Sequence, residues 1–308
     1  MILVTGATGT VGRHLIERLL TGRSGVRAVS RDPAAAGLPD PVEVVGADLA
    51  RTDVPAGLLH GVHAVFVNPA AVGENADKLV AAARYAGVGR LVVLAASNVE
   101  APEGQQPSRF LGHRNREVEA AVVASGVEWV SLRPATFHTN ALHWADQLRA
   151  GDVVRGPFAA VRETPVDPRD IAAVAALALS EDGAHLAGRR LELTGPQALS
   201  QHRLVADLGA VTNRRLRYQE IPATAVRQGM ARIGAPDGFA DAYVARLAHL
   251  LDHPPGTTDT IQRLLGRPAI TFAQWAREHA AAFQIRDAAP NDNRGAGPVT
   301  EGTRHHAR

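Results

Sequence analysis

Short, continuous apolar runs alternate with amphipathic helical patterns over the first 135 residues of the chain. Such runs are typical of parallel strands that are covered on both faces. They predict six strands, at residues 2–5, 26–30, 42–45, 64–68, 90–95 and 128–132. Because parallel neighbours need a crossover connection, this alternation predicts an α/β fold built on a doubly wound parallel sheet of the Rossmann type.

A glycine-rich segment, Thr5-Gly-Ala-Thr-Gly-Thr-Val-Gly12, follows the first predicted strand and opens the first predicted helix. The first glycine of such a turn permits a positive φ, the second leaves room for a pyrophosphate, and the third lets the helix pack close to the strand. The N–H groups at the start of the helix attract phosphate. We therefore predict a dinucleotide site at Gly6, Thr8, Gly9, Thr10, Val11 and Gly12; the alternative is a tight turn that binds no ligand.

The end of the second predicted strand indicates which dinucleotide is bound. Sites that prefer NAD place an acidic residue there, where it holds the ribose 2′-hydroxyl. This chain has Ser30 at that position, followed by Arg31, whose guanidinium can pair with a 2′-phosphate. The sequence thus favours NADP(H) over NAD(H). In the alternative interpretation, Asp32 holds the ribose and Arg31 is a solvated surface residue.

The pattern changes after residue 135, where helices dominate, the first of them predicted at 140–150, and the glycine, proline and polar content rises towards the end. We expect residues 1–135 to form the dinucleotide-binding domain, with 166–195 returning to it. Residues 136–165 and 196–286 are expected to form a smaller, mostly helical C-terminal substrate lobe. Residues 287–308 contain almost no large apolar side chain, which predicts a disordered tail.

Composition excludes several classes of function. The 308-residue chain has no cysteine, so disulfide scaffolds, cysteine metal sites and cysteine nucleophiles are excluded. Its net charge is +2, and Lys78 is its single lysine, so the basic character is arginine spread along the chain rather than a nucleic-acid-binding signature. There is no leader-like segment and no apolar run of membrane-spanning length. We expect a cytoplasmic protein with a small-molecule substrate, no metal, no nucleic-acid or membrane partner, and a monomeric or homodimeric state.

Several motifs together resemble the NmrA-like family of atypical short-chain dehydrogenase/reductases. The resemblance covers roughly residues 1–283. It is carried by the glycine turn, Gly46-Ala-Asp-Leu49, Ser125-Gly-Val-Glu-Trp129, Leu132-Arg-Pro134, Asp167-Pro-Arg-Asp-Ile-Ala172, Leu193-Thr-Gly-Pro196 and Gly266-Arg-Pro268 followed by Phe272 and Trp275.

This resemblance implies further cofactor-binding positions, all at carboxyl ends of strands, where open α/β sheets bind ligands. Asp48 and Leu49 would lie near the adenine, and Asn68, Pro69 and Ala70 near the middle of the cofactor. Ala95, Ala96 and Ser97 would lie beside the nicotinamide. The wall by the nicotinamide ribose would be formed by Arg133, Pro134, Ala135 and Thr136.

Typical short-chain dehydrogenases use a Tyr-x3-Lys pair on the helix after the fifth strand, in which the lysine lowers the pKa of the tyrosine. Here none of the three tyrosines is followed by lysine at that spacing, and Leu111 and Asn115 occupy the two positions. The remaining candidates for proton transfer or substrate orientation are His113, His138 and Ser97. Their alternatives are a surface histidine, a hydrogen-bonded core histidine and a strand-end cap.

We therefore predict an NADP(H)-dependent oxidoreductase that transfers hydride to a small apolar acceptor, such as a quinone, an enone or a secondary-metabolite intermediate. Such acceptors need little from the protein beyond positioning, because the cofactor carries the chemistry. Two alternatives stay open: a non-catalytic NADP(H)-sensing regulator, and a non-redox natural-product enzyme on the same fold.

Overall fold

The central element is a parallel sheet. The computed structural model describes residues 1–22 and 24–284, and within them seven strands pair in parallel in the spatial order third, second, first, fourth, fifth, sixth, ninth. These strands are β1 Ile2–Val4, β2 Val26–Ser30, β3 Val42–Gly46, β4 Ala64–Val67, β5 Arg90–Leu94, β6 Glu128–Pro134 and β9 Arg189–Leu193. The predicted doubly wound Rossmann fold is confirmed, and the strand order reverses between β1 and β4.

Helices cover both faces of this sheet. The α-helices of the described residues are α1 Thr10–Leu19, α2 Pro69–Val72, α3 Ala76–Tyr85, α4 Asn115–Ala124, α5 Ala145–Ala150, α6 Pro168–Leu179, α7 Gln201–Thr212, α8 Ala223–Arg232, α9 Phe239–Asp252, α10 Thr260–Leu265 and α11 Phe272–Glu278. One face of the sheet packs against α1 and α6, and the opposite face against α3 and α4. Each helix buries the apolar stripe that its 3.6-residue period creates, as Val11, Leu15 and Ile16 do on α1.

The second lobe has its own small core. Leu148, Phe272, Trp275 and Phe283 are buried together in it. Two short ribbons complete this lobe: β7 Val153–Gly156 runs parallel to β11 Arg217–Glu220, and β8 Arg162–Glu163 runs antiparallel to β10 Leu199–Ser200. The lobe is mostly helical, as predicted.

The segment 166–195, which we expected to return to the first domain, supplies α6 and β9. Helix α6 packs against α1, and β9 pairs with β6 at the edge of the central sheet. Val166 pairs with Phe137 just beyond the end of β6. The expected tail at 287–308 lies outside the described residues.

Two local expectations were wrong in detail. The first strand was expected to include Thr5, but the side chain of Thr5 donates to the Phe66 carbonyl and accepts from the Asn68 N–H, so the chain already turns there. A continuous helix was expected at 140–150. Residues His138–Trp144 instead form a 3₁₀ turn before α5, because the His138 N–H is bonded to Val166 and the Asn140 N–H reaches back only three residues to Phe137.

Candidate functional site

The carboxyl ends of all seven parallel strands meet at one edge of the sheet. The segments that follow β1 to β6 therefore lie along this edge, and they contain the predicted cofactor-binding residues. Ligands of open α/β sheets bind at this edge, at the point where the strand order reverses. In this chain that point lies between the glycine turn after β1 and Asn68 after β4.

The glycine turn needs glycine at two positions for steric reasons. Gly6 has a φ of +64°, and a Cβ atom there would lie 2.4 Å from Nδ2 of Asn68. A Cβ atom on Gly12 would lie 2.2 Å from the carbonyl oxygen of Gly6. At Gly9 the nearest atom would be 3.2 Å away, so the fold itself tolerates a small side chain there more easily. Glycine at positions 6 and 12 therefore lets the turn pack closely against Asn68 and against its own backbone.

The start of α1 presents unpaired donors at this turn. Gly9 is the N-cap and has no side chain to cap the helix. Among the described residues, the backbone N–H groups of Thr10, Val11 and Gly12 have no hydrogen-bond acceptor. Thr8, Gly9 and Thr10 are exposed. Unpaired N–H groups at the positive end of a helix dipole fit a phosphate group, so the turn suits a dinucleotide diphosphate.

The three polar residues of the loop after β2, Ser30, Arg31 and Asp32, make different contacts. The Ser30 hydroxyl donates to the Asp32 carbonyl (2.8 Å) and accepts from its N–H (3.2 Å). The Asp32 carboxylate accepts from the Ala35 N–H (3.1 Å), so it stabilises the turn. Arg31 is exposed, and no hydrogen bond or ion pair holds it within the part of the chain that the structure describes. This geometry supports Arg31, rather than Asp32, as the group available to a ligand.

The loops after β3 and β4 are tied to each other and to β1. The Asn68 N–H donates to the Thr5 hydroxyl (2.8 Å), and the side-chain oxygen of Asn68 caps α2 by accepting from the Ala70 N–H (3.0 Å). Pro69 occupies the first position of that helix, where its missing N–H costs nothing. The side chain of Asn75 donates to the carbonyl of Leu49, a buried residue, and Asp48 beside it is half-buried.

The segments after β5 and β6 form a hydrogen-bonded wall. The Ala95 N–H donates to Leu132, the Ser97 N–H to Pro134 (2.9 Å), and the Ala135 N–H to Leu193. Ala96 is half-buried and Ser97 is exposed. The hydroxyl of Thr136 is buried and has no partner within the described residues. This wall presents Ser97 and the segment 134–136 side by side.

The three candidate catalytic residues lie in different surroundings. Ser97 is exposed at this wall. His113 is half-buried in the segment before α4, and burial lowers its pKa, so the neutral ring dominates at neutral pH. His138 is 1% exposed, and its ring faces Phe272 (ring centroids 5.5 Å apart) and Trp275 (6.0 Å). Its Nδ1 lies 3.7 Å from the Asp167 carboxylate. The enclosure of His138 favours a packing role in the lobe core.

The positions of the classical tyrosine and lysine carry no titratable group. Leu111 lies in a 3₁₀ turn at Pro107–Leu111 and is 52% exposed. Asn115 begins α4, and its side-chain amide donates to the Ser108 hydroxyl (3.2 Å). Neither residue can take part in proton transfer.

A buried ion pair between α4 and β6 was not predicted. Arg133 on β6 donates to both carboxylate oxygens of Glu119 on α4, at 2.9 and 2.8 Å. Burial alone would raise the pKa of Glu119, but the hydrogen bonds from Arg133 and Ser131 lower it below its usual value. This pair fixes α4 against the end of β6. A single arginine in Leu-Arg-Pro offers no sequence signal that its partner is fourteen residues earlier.

The second lobe contributes a further cluster. Helix α9 packs on the segment 103–111, and the ring of Phe110 lies where a Cβ atom of Gly238 would be. Arg246 of α9 pairs with Glu163 of β8 at 2.8 Å. Burial and the charge of Glu163 raise the pKa of Tyr243 to about 12, so its hydroxyl stays protonated. Together α9 and β8 place aromatic and polar side chains against the segment 103–111, which follows β5 in the chain.

Within the described residues, no group of three or more His, Asp or Glu side chains could hold a metal ion. None of the described helices combines the length and the apolarity that a membrane span requires.

Comparison with known proteins gives consistent results. The model of a family described as NAD(P)H-binding matches residues 6–182. A (4-alkanoyl-5-oxo-2,5-dihydrofuran-3-yl)methyl phosphate reductase of Streptomyces griseus subsp. griseus is 38% identical over 287 residues, which cover 92% of this chain and 99% of that protein. An NAD(P)H azoreductase of Xenophilus azovorans is 34% identical over 289 residues, with 92% and 99% covered. The NADPH complex of an NADPH-dependent quinone oxidoreductase from Escherichia coli superposes with a TM-score of 0.76 at 25% identity, covering 91% of this chain and 99% of that one.

Proposed function

The chain belongs to the NAD(P)H-binding family, as an NmrA-like atypical short-chain dehydrogenase/reductase, and from this premise we propose that it is an NADP(H)-dependent oxidoreductase for a small, conjugated organic acceptor. The observation that carries the proposal is the glycine turn: its close packing, which only glycine allows at positions 6 and 12, and the unpaired N–H groups of Thr10, Val11 and Gly12 suit a dinucleotide diphosphate. The similarity to two reductases over nearly the whole chain supports the same reaction class.

The preference for NADP(H) rests on the loop after β2. Both residues are exposed, but the Asp32 carboxylate is engaged by the Ala35 N–H, whereas Arg31 has no partner within the described residues. A guanidinium binds phosphate through paired hydrogen bonds, which a ribose hydroxyl cannot use in the same way. We therefore assign Arg31 to the 2′-phosphate, and the segments at 48–49, 68–70, 95–97 and 134–136 to the rest of the cofactor.

Substrate chemistry follows from what the protein lacks and what its relatives reduce. NADPH supplies a hydride when bound. The Tyr-x3-Lys pair that serves alcohol–ketone chemistry is replaced by Leu111 and Asn115, which favours an acceptor whose new negative charge is delocalised and can be protonated by water. The relatives reduce a furanone phosphate and azo compounds, by their names. We propose an electron-poor double bond conjugated to a carbonyl as the reduced group.

The remaining residues position the acceptor. Ser97 can orient a substrate oxygen from the wall after β5. The half-buried aromatic side chains of Phe110, Phe239 and Tyr243 provide apolar surface for a flat organic molecule. A cytoplasmic location and a monomeric or homodimeric state remain predictions.

The test is oxidation of NADPH by the purified protein with a panel of acceptors: an alkanoyl butenolide phosphate, an enone, a quinone and an azo dye. We expect consumption of NADPH with at least one of them, and slower consumption of NADH. Gly12→Ala should abolish both binding and turnover, because its methyl group would collide with the Gly6 carbonyl. Gly229→Ala is the matched control, since no atom lies within 4 Å of a Cβ atom there.

The two alternatives predict different results. A sensing regulator would bind NADPH and NADP+ with different affinities and oxidise NADPH with none of the acceptors; the missing tyrosine and lysine favour it. A non-redox enzyme would convert a substrate while the NADPH concentration stays constant. Tight NADPH binding without turnover across the whole panel would contradict the oxidoreductase proposal.

A further inference from the structure

One arginine joins two loops of the cofactor edge. Arg13 follows the last glycine of the turn and lies in the first turns of α1. Its Nε donates to the carbonyl of Thr8 (3.1 Å), in the glycine turn. Its Nη1 and Nη2 donate to the carbonyls of Gly37 (3.1 Å) and Ala36 (2.9 Å), in the loop after β2. A single guanidinium therefore bridges the diphosphate end and the ribose end of the predicted adenosine site.

The bridged loop is the one that carries Arg31. Its beginning is held by the hydrogen bonds of Ser30 and Asp32. Its far end turns at Gly37, where φ is +56°, and buries Ala36. Arg13 supplies the side-chain donors that satisfy the carbonyls of this far end. Without them the two carbonyls would lose these donors, and the far end would be held only by the packing of Ala36 and Leu38 and by the hydrogen bond from the Ala36 N–H to Pro33.

The bonding of Arg13 also leaves its charge uncompensated. All three of its hydrogen bonds go to backbone carbonyls, and no carboxylate pairs with it among the described residues. A residue whose role was surface charge pairing would have such a partner. The guanidinium has donors on two sides, and this geometry lets one side chain bond to both loops.

We propose that Arg13 is a positioning residue for cofactor selectivity: by tying the loop after β2 to the glycine turn, it holds Arg31 where its guanidinium reaches the 2′-phosphate of NADP(H). This inference rests on the proposed NADP(H) function. Fixing a loop in its binding conformation before the ligand arrives increases affinity, because less ordering remains to be done on binding. The effect should fall on NADPH rather than NADH, since NADH has no 2′-phosphate for Arg31 to bind.

The experiment measures dissociation constants of NADPH and NADH by calorimetry for the wild type and four variants: Arg13→Ala, Arg13→Lys, Arg31→Ala and the double variant Arg13→Ala/Arg31→Ala. Arg31→Ala should lower the preference for NADPH about tenfold or more. Arg13→Ala should lower it about three- to tenfold. In the double variant the preference should equal that of Arg31→Ala alone, because Arg13 acts through Arg31.

Controls separate the bridge from charge and from stability. Arg13→Lys keeps the charge but cannot reach both loops with one ammonium group, so it should behave like Arg13→Ala. Arg18→Ala removes an exposed arginine from the last turn of the same helix and should leave the preference unchanged. Melting temperatures of all variants show whether any loss comes from unfolding; a purely structural Arg13 would lower the melting temperature without changing the NADPH to NADH ratio.

The outcomes distinguish this inference from the proposed function. A wild type that binds neither nucleotide overturns the proposed function itself. If the wild type prefers NADPH, three results would overturn the role of Arg13 and leave the oxidoreductase proposal intact. They are an unchanged NADPH to NADH ratio in Arg13→Ala, a wild-type ratio in Arg13→Lys, and fully additive losses in the double variant.

Discussion

At the scale of single residues, His138 shows how burial decides between two interpretations of one side chain. The sequence places it just after β6, where the chain approaches the predicted site. In the structure its ring lies between Phe272 and Trp275, and neither ring nitrogen has a hydrogen-bond partner within the described residues. We therefore propose that His138 packs the lobe core and takes no part in proton transfer.

We expect His138→Phe to keep kcat and its pH profile within about threefold of the wild type, because a buried ring without hydrogen bonds contributes through packing. The measurement is the pH dependence of NADPH oxidation with the best acceptor from the panel. His143→Phe, in the same 3₁₀ turn but exposed, is the control. A loss of about a hundredfold in kcat together with loss of one limb of the profile would instead make His138 a proton-transfer group.

At the scale of secondary-structure elements, the start of α6 depends on one buried carboxylate. Asp167 caps the helix by accepting from the Arg169 N–H (2.8 Å), and the Arg169 side chain donates to it at 2.9 and 2.8 Å. Burial by itself would raise the pKa of Asp167. The hydrogen bonds from Arg169 and the contact with His138 outweigh burial and hold this pKa well below its usual range.

This shift predicts how stability depends on pH. The pKa of Asp167 is lower in the folded state than in the unfolded chain. The ionised carboxylate therefore contributes fully to folding stability above the pKa of the unfolded chain, about 3.9, and this contribution is lost as the pH falls towards the pKa of the folded state. Asp167→Asn should reduce the free energy of unfolding at neutral pH by about 1–3 kcal/mol and weaken its decline below about pH 4. Urea unfolding at neutral pH and at about pH 3.5 measures both effects. Asp146→Asn, at an exposed carboxylate of α5, should change neither.

At the scale of the whole molecule, α6 connects the central sheet to the C-terminal segment. Asp170 of α6 is fully buried; it accepts from the Ile270 N–H (2.7 Å) and pairs with Arg267 (2.7 Å). Arg169 of the same turn pairs with Glu278 of α11 (2.6 Å). These contacts make the packing of α10 and α11 depend on the first turn of α6.

We expect Asp170→Ala to lower the free energy of unfolding by about 2–4 kcal/mol, because it leaves the Ile270 N–H unpaired and Arg267 without its carboxylate. Thermal unfolding measures the loss, and limited proteolysis should cut near residues 266–271 earlier than in the wild type. Asp259→Ala, which removes an exposed carboxylate paired with Arg263 one turn away, should change stability by less than about 0.5 kcal/mol. Equal protease resistance of Asp170→Ala and the wild type would contradict this role of α6.

The sequence by itself determined the sheet, the glycine turn and the family. Continuous apolar runs and helical periodicity are local signals, and so are the positive φ of Gly6 and the close approach of Gly12 to the Gly6 carbonyl, so each can be recognised within about ten residues of chain. The 3₁₀ turn at His138–Trp144 could not be recognised this way, because it depends on a hydrogen bond to Val166, almost thirty residues away.

Only the tertiary structure decided which polar side chains act together. Three contacts join residues that are distant in the chain and that the sequence pattern does not distinguish from solvated surface residues. They are the bridge from Arg13 to Ala36 and Gly37, the pair of Arg133 with Glu119 and the pair of Arg246 with Glu163. The sequence alone does not distinguish an arginine that is solvated from one that is hydrogen-bonded to three carbonyls. Its partners are set by how strands and helices pack, because the free energy of a hydrogen bond depends on geometry and burial that no local pattern encodes.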